Sequence, residues 1–163
     1  MSFELRDYQQ DLVDKINSSD SKRNCVQLST GGGKTIIFSY LANNFNGRVL
    51  ILVNRSELLE QAIKNINRDC STIEAGTTTI LSTSVTLAMV ESFYNRQKKQ
   101  LVDINDYDLI IVDEVQSLEF VKVFKDYKNR LLGFTATPVI DKKEYYFKCR
   151  YCDSKNELKT ECC

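Results

Sequence analysis

Histidine is absent from the 163 residues, proline occurs once, and neither sign of charge is in excess. Without an imidazole, histidine-based acid–base catalysis is excluded, and so is any histidine-containing zinc site built by this chain alone. The 22 basic and 22 acidic residues cancel to a formal net charge of zero. Nucleic-acid binding would therefore have to come from a local patch, because the molecule has no overall basic field. No apolar run approaches the roughly 18–20 residues that cross a bilayer, and Met1-Ser2-Phe3-Glu4 does not read as a signal peptide. The expectation is an intracellular, cytoplasmic protein with no membrane contact.

Six cysteines are few for a disulfide scaffold, and they are unevenly placed. Cys25 and Cys70 sit in or beside apolar segments, whereas Cys149, Cys152, Cys162 and Cys163 crowd the last fifteen residues. In a reducing compartment that crowd reads as a metal candidate. The remaining composition, 42% hydrophobic and 27% charged, is that of a globular chain with room for one domain of ordinary size.

Apolar segments of two kinds alternate along the sequence. Val49-Leu50-Ile51-Leu52-Val53 and Leu109-Ile110-Ile111-Val112 are continuous runs, as expected for strands buried on both faces of a parallel sheet. Cys25-Val26-Gln27-Leu28, Thr79-Ile80-Leu81 and Leu131-Leu132-Gly133-Phe134 are weaker versions. Between them, Tyr8, Leu12, Val13 and Ile16 share one helical face, as do Ile36, Ile37, Tyr40 and Leu41, and Leu58, Leu59, Ala62, Ile63 and Ile66. Ser56 followed by Glu57 suits a helix start. This alternation predicts an α/β fold, a mainly parallel sheet flanked by helices. Asn95–Gln100 reads as an exposed helix end and loop. Beyond Pro138, Asp141–Glu144 is polar and Tyr145-Tyr146-Phe147 looks like a new strand. A boundary near residue 140 separates a domain over 1–140 from a Cys-rich extension over 141–163.

Ser29-Thr30-Gly31-Gly32-Gly33-Lys34-Thr35 lies between a strand and a helix pattern. Gly31, Gly32 and Gly33 let backbone wrap phosphate oxygens, since no Cβ blocks the approach or a positive φ. Amides and dipole of the following helix start add attraction for an anion. Lys34 is placed to reach β/γ-phosphates and the Thr35 hydroxyl to hold Mg²⁺. Leu28 stands where the general pattern has its first glycine. Asp113-Glu114 ends the most apolar strand, 79 residues after Lys34, and strand carboxyl ends are where open α/β sheets bind ligands. One carboxylate can hold Mg²⁺ through water, and its neighbour can orient or deprotonate an attacking water.

In this order the motifs resemble those of the first RecA-like domain of superfamily 2 (DEAD/DEAH-like) helicases and translocases, in the branch with phage, viral and restriction-type DNA helicases. The resemblance covers about residues 3–140. It implies a P-loop NTPase fold, ATP with Mg²⁺ as cofactors, and nucleic acid as partner, with DNA favoured over RNA. Leu5-Arg6-Asp7-Tyr8-Gln9 is similar to the adenine-recognition motif, in which Arg6 and Gln9 would serve the base, Gln9 through its paired amide donor and acceptor. Ser29–Thr35, including Thr30, is similar to motif I. Leu52–Gln61 is similar to motif Ia, which implies Arg55 as a phosphate contact of a bound strand. Ile80–Leu87 resembles the next strand-binding motif, with Ser82 and Thr83 as hydroxyl donors. Ile110–Gln116 is similar to motif II. Gln116 stands where the family carries His or Asp, and as a neutral amide it can hydrogen-bond but not titrate. Gly133–Pro138 is similar to motif III, implying that Thr135 and Thr137 couple the acidic pair to the strand-binding surface.

Enzymes of this superfamily close their ATP site with a second RecA-like domain that brings arginine fingers, and the 25 residues after Pro138 cannot be such a domain. Arginine fingers are worth about 10³–10⁵ in phosphoryl transfer, so the expectation is an ATP-dependent helicase half that needs a second RecA-like domain, in cis or trans, for full activity. The alternative is a hydrolysis-deficient module that binds nucleotide and nucleic acid. A small-molecule kinase is disfavoured by Thr135-Ala136-Thr137 and by Arg6–Gln9. Cys149-Arg150-Tyr151-Cys152 with Cys162 and Cys163 supplies four thiolates, the number for a structural Zn²⁺ site, although adjacent cysteines rarely ligate one ion together.

Overall fold

Six strands pair entirely in parallel, in the order β1-β6-β5-β2-β4-β3. The computed structural model describes residues 4–29, 31–79, 81–115, 123–124 and 127–136. The chain runs α1 (Asp7–Ser18), β1 (Arg23–Gln27), α2 (Lys34–Asn44), β2 (Val49–Val53), α3 (Ser56–Asn65), β3 (Cys70–Ile73), β4 (Val85–Met89), α4 (Val90–Lys98), a 3₁₀ turn (Ile104–Asp106), β5 (Leu109–Asp113) and β6 (Arg130–Thr135).

The strand period of two sorts the side chains into two cores. Val49, Ile51 and Val53 of β2 join Leu109 and Ile111 of β5 beneath Val13, Ile37, Phe38, Leu59 and Ala62 from α1, α2 and α3. Leu50, Leu52, Ile110 and Val112 point the other way, to Val90 and Phe93 of α4 and to Ile104, Tyr107, Phe124 and Tyr127. Both central strands are buried at every position, which explains their continuous apolar runs. Arg68 closes α2, its guanidinium donating to the carbonyls of Ala42, Phe45 and Gly47, each at 2.8 Å. These carbonyls would otherwise be left over at and beyond the helix end.

The sheet corrects one expected strand. Thr79 and Leu81 lie outside any strand, and Leu81 is 57% exposed. The strands in this region are Cys70–Ile73 and Val85–Met89 instead. Because all strands are parallel, Gln27, Val53, Met89, Asp113 and Thr135 end at one rim. The expected boundary near 140, the Tyr145–Phe147 strand and the cysteine extension lie outside the described residues.

Candidate nucleotide site

At that rim, β1 passes into the glycine loop. Leu28 N–H donates to the Thr135 carbonyl at 2.9 Å, holding the loop's entry to β6, and Gly32 N–H closes a turn on the Ser29 carbonyl at 3.0 Å. Gly33 caps α2 with φ +75° and no side-chain cap, so no side chain competes for the amides and positive dipole that begin this 11-residue helix, an arrangement suited to an anion. A Cβ on Gly33 would lie 2.4 Å from Gln9 Nε2, and one on Gly32 would lie 2.8 Å from Leu28 Cγ. Leu28, the departure from the general loop pattern, thus packs where only glycine fits opposite. Gly31 has open space but φ +83°. Lys34 and Thr35 open α2, and Thr30 lies outside the described residues.

Helix α1 is fastened to this loop. Gln9, 5% exposed, accepts the Arg6 N–H at 3.0 Å through Oε1 and presents Nε2 to Gly33. The exposed Tyr8 donates its hydroxyl to the Gly32 carbonyl at 3.1 Å. The sequence offered Arg6 and Gln9 as base contacts but not Tyr8. Its only signal was a place on an amphipathic face from which its ring stands 43% exposed.

Two strands from β1, β5 delivers the acidic pair. Lys34 Nζ and Glu114 Oε1 form an ion pair at 2.9 Å. Asp113 is 3% exposed, and its Oδ1 has no hydrogen-bond partner in the structure. Burial pushes its carboxyl above the ordinary 3.8, the Glu114 charge adds to this, and Lys34 and Arg55 oppose it. Glu114 has φ +54°, a left-handed conformation in a residue with a side chain. Directly after it, Val115 N–H returns to the Phe134 carbonyl at 3.0 Å. The Val115 side chain fills the space over Gly133, where a Cβ would meet it at 2.8 Å. Gly133 therefore permits the turn that aims Glu114, a role its motif did not suggest. Thr135 is buried at the end of β6, between β1 and β5.

The other expected site residues divide by position. Arg55 is exposed and caps α3 at the same rim. Ser82 and Thr83 precede β4 and stand at the opposite end of the sheet. There the Thr83 hydroxyl donates to the Val85 carbonyl at 2.8 Å and pairs with Ser71 Oγ. The structure does not bring them together with Lys34 and Asp113. Gln116, Thr137, Cys149, Cys152, Cys162 and Cys163 lie outside the described residues. Among the described residues, no cluster of three or more cysteine, aspartate or glutamate side chains could hold a metal ion. Asp113 is nevertheless suited to Mg²⁺, because its buried oxygen lacks a partner and nucleotide phosphates and water supply that ion's remaining ligands.

A wholly parallel sheet with a glycine loop after β1 and an ion pair crossing to the acidic end of β5 defines a class, the RecA-like P-loop domain, and the family match and the helicase relative that follow place it among superfamily 2 helicases. Residues 2–140 match the family described as type III restriction enzyme, res subunit, and the chain belongs to that family. It is 39% identical over 152 residues to a Saccharomyces cerevisiae protein named as the ATP-dependent helicase IRC3, covering 82% of this chain and 21% of the relative. The chain thus spans about a fifth of that relative's length. Two solved structures share the fold. The Hef helicase domain of Pyrococcus furiosus has a TM-score of 0.67 at 23% identity, covering 83% of this chain and 34% of that one. A nuclease-deletion mutant of the type ISP restriction-modification enzyme LlaGI, in complex with a DNA substrate mimic, has a TM-score of 0.62 at 18% identity, covering 85% and 18%. No helix among the described residues is long and apolar enough to cross a membrane.

Proposed function

We propose that this chain binds an adenine nucleotide with Mg²⁺ at the strand carboxyl rim and supplies one wall of a helicase catalytic site. The observation that carries this reading is Asp113, a buried carboxylate with an unpartnered oxygen, beside the Lys34–Glu114 pair and across from the glycine loop. Lys34 and the amides of α2 hold the phosphates. Thr35 and Asp113 hold the cation, whose chemistry when bound is to neutralise charge building on the transferring phosphoryl group. Glu114 orients the attacking water and takes its proton. Arg6 and Gln9 serve the base, and Gln116, Thr135 and Thr137 couple hydrolysis to strand movement. Arg55 contacts the phosphates of the bound strand, at the rim that also holds the nucleotide. Ser82 and Thr83 keep a part in strand binding only if the strand reaches the far end of the sheet. DNA as the bound strand draws support from LlaGI, a structural neighbour solved in complex with a DNA substrate mimic. An intracellular setting suits Cys25 and Cys70, neither of which forms a disulfide. Zinc at the four tail cysteines is a separate proposal that metal analysis of the purified chain checks.

The described residues build one side of the pocket, and a second RecA-like domain, in cis or trans, supplies the arginine finger. The test is ATPase activity of the chain with and without single-stranded and branched DNA, repeated with a candidate second domain. Slow turnover alone and a rise of about 10³-fold or more on adding that domain are expected. Fast turnover by the chain alone would remove the need for a second wall. The second reading, a binding module without hydrolysis, draws on Gln116, and it gains if nucleotide binds yet no second domain restores turnover.

A further inference from the structure

Tyr8 has no part in the nucleotide reading above, yet its hydroxyl reaches the glycine loop itself, donating to the Gly32 carbonyl at 3.1 Å. The donor stands on a fixed base. Tyr8 lies in the first turn of α1, a helix seated in the core by Val13 and Ile16, and its neighbour Gln9 abuts Gly33. The acceptor is pliable by comparison. It belongs to a peptide with glycine on both sides, whose rotation is a change of Gly32 ψ and Gly33 φ that no Cβ resists.

A trans peptide is planar, and its C=O and N–H point in opposite directions. A hydroxyl that draws the Gly32 carbonyl toward α1 therefore turns the Gly33 N–H away from α1. That N–H finds no acceptor among the described residues. It belongs to the N-cap of α2, where backbone amides can gather around an anion. Were the peptide to turn over, a carbonyl oxygen would take the place of the N–H and face the phosphates with its negative end. We propose that Tyr8 is a positioning residue for phosphate, its hydroxyl fixing the Gly32–Gly33 peptide so that the Gly33 N–H, and not the Gly32 carbonyl, faces the bound polyphosphate. The proposal rests on the nucleotide reading above and gives α1 a hold on the phosphate end of the ligand as well as on the base.

The test is titration of ADP with Mg²⁺ into the wild-type chain and into Tyr8→Phe, which keeps the ring and loses only the hydroxyl. Affinity should fall about two- to fivefold in the variant, the scale of one hydrogen bond in an exposed position. The second readout is local. The chain has six glycines, so ¹⁵N-glycine labelling yields few enough amide signals to follow Gly33. Its signal should move downfield as ADP saturates the wild type, and move less in saturated Tyr8→Phe. A tyrosine that merely fastened α1 would leave that shift intact. Wild-type affinity in the variant, or a full Gly33 shift at saturation, overturns the positioning role and leaves the nucleotide reading standing. No binding of ADP with Mg²⁺ by the wild type overturns both.

Discussion

Asp69, just ahead of β3, accepts the Ser84 N–H at 2.8 Å and the Ser84 hydroxyl, and these bonds hold its carboxyl below the ordinary 3.8. Asp108, just ahead of β5, takes the Arg48 N–H at 2.8 Å. At the opposite rim, Asp113 keeps an unpartnered oxygen, and burial drives its carboxyl upward. One end of the sheet thus satisfies its acids as loop fasteners, while the other leaves an acid poorly satisfied inside the protein. Leaving a buried polar atom without a partner costs about 1–3 kcal/mol. In the proposed function, a bound nucleotide and its cation complete the second end. Left-handed Glu114 and the Gly33 cap add strained or permissive backbone at the same rim, as expected where function overrides local preference.

Gly33→Ala should produce the largest effect. The new Cβ would strike Gln9 at a positive φ, destabilising the fold by about 1–3 kcal/mol. Nucleotide affinity should fall with it, as read by urea melts and ADP titration. Near-wild-type behaviour in both would remove the claim that the rim demands this backbone.

Asp113→Asn should separate stability from binding. A carboxyl raised in the fold contributes stability below its folded pKa and loses it as pH rises through that value. At neutral pH the charge therefore costs stability, and the variant should melt about 2–4 °C higher without nucleotide. Its magnesium-dependent nucleotide affinity should drop on the order of tenfold or more. A lower melting temperature would break the contrast between the two ends.

Asp69→Asn should do the reverse, and more weakly. A carboxyl lowered in the fold contributes stability above its unfolded value and loses it as pH falls through the folded one. The variant should melt slightly lower at neutral pH, lose part of the wild type's decline in acid, and bind ADP unchanged. The smallest expected effect is that of Thr83→Ala. Its hydroxyl already serves Ser71 and Val85, so DNA affinity should hold, whereas Arg55→Ala should weaken it in a salt-dependent way.

The sequence made the rim legible where chemistry restricts residue type, as at Gly31–Lys34 and Asp113-Glu114, and made β2 and β5 legible because burial on both faces leaves only apolar residues. It hid β3, an edge strand with Ile73 alone fully buried. It also hid β4, whose buried Thr86 is tolerated because the Tyr107 hydroxyl bonds it at 3.2 Å. The Lys34–Glu114 pair was out of reach for another reason. The two residues are 80 positions apart, and only the order β1-β6-β5 brings them together. The contact between Gln9 and Gly33 likewise depends on how α1 packs, which no local pattern encodes.

The most direct measurement is calorimetric titration of ADP and ATP with magnesium into the wild-type chain and into Lys34→Ala. Saturable heat with the wild type and none with the variant is the predicted result. No heat with a folded wild-type sample, or equal heat from both chains, would contradict a nucleotide held at this rim.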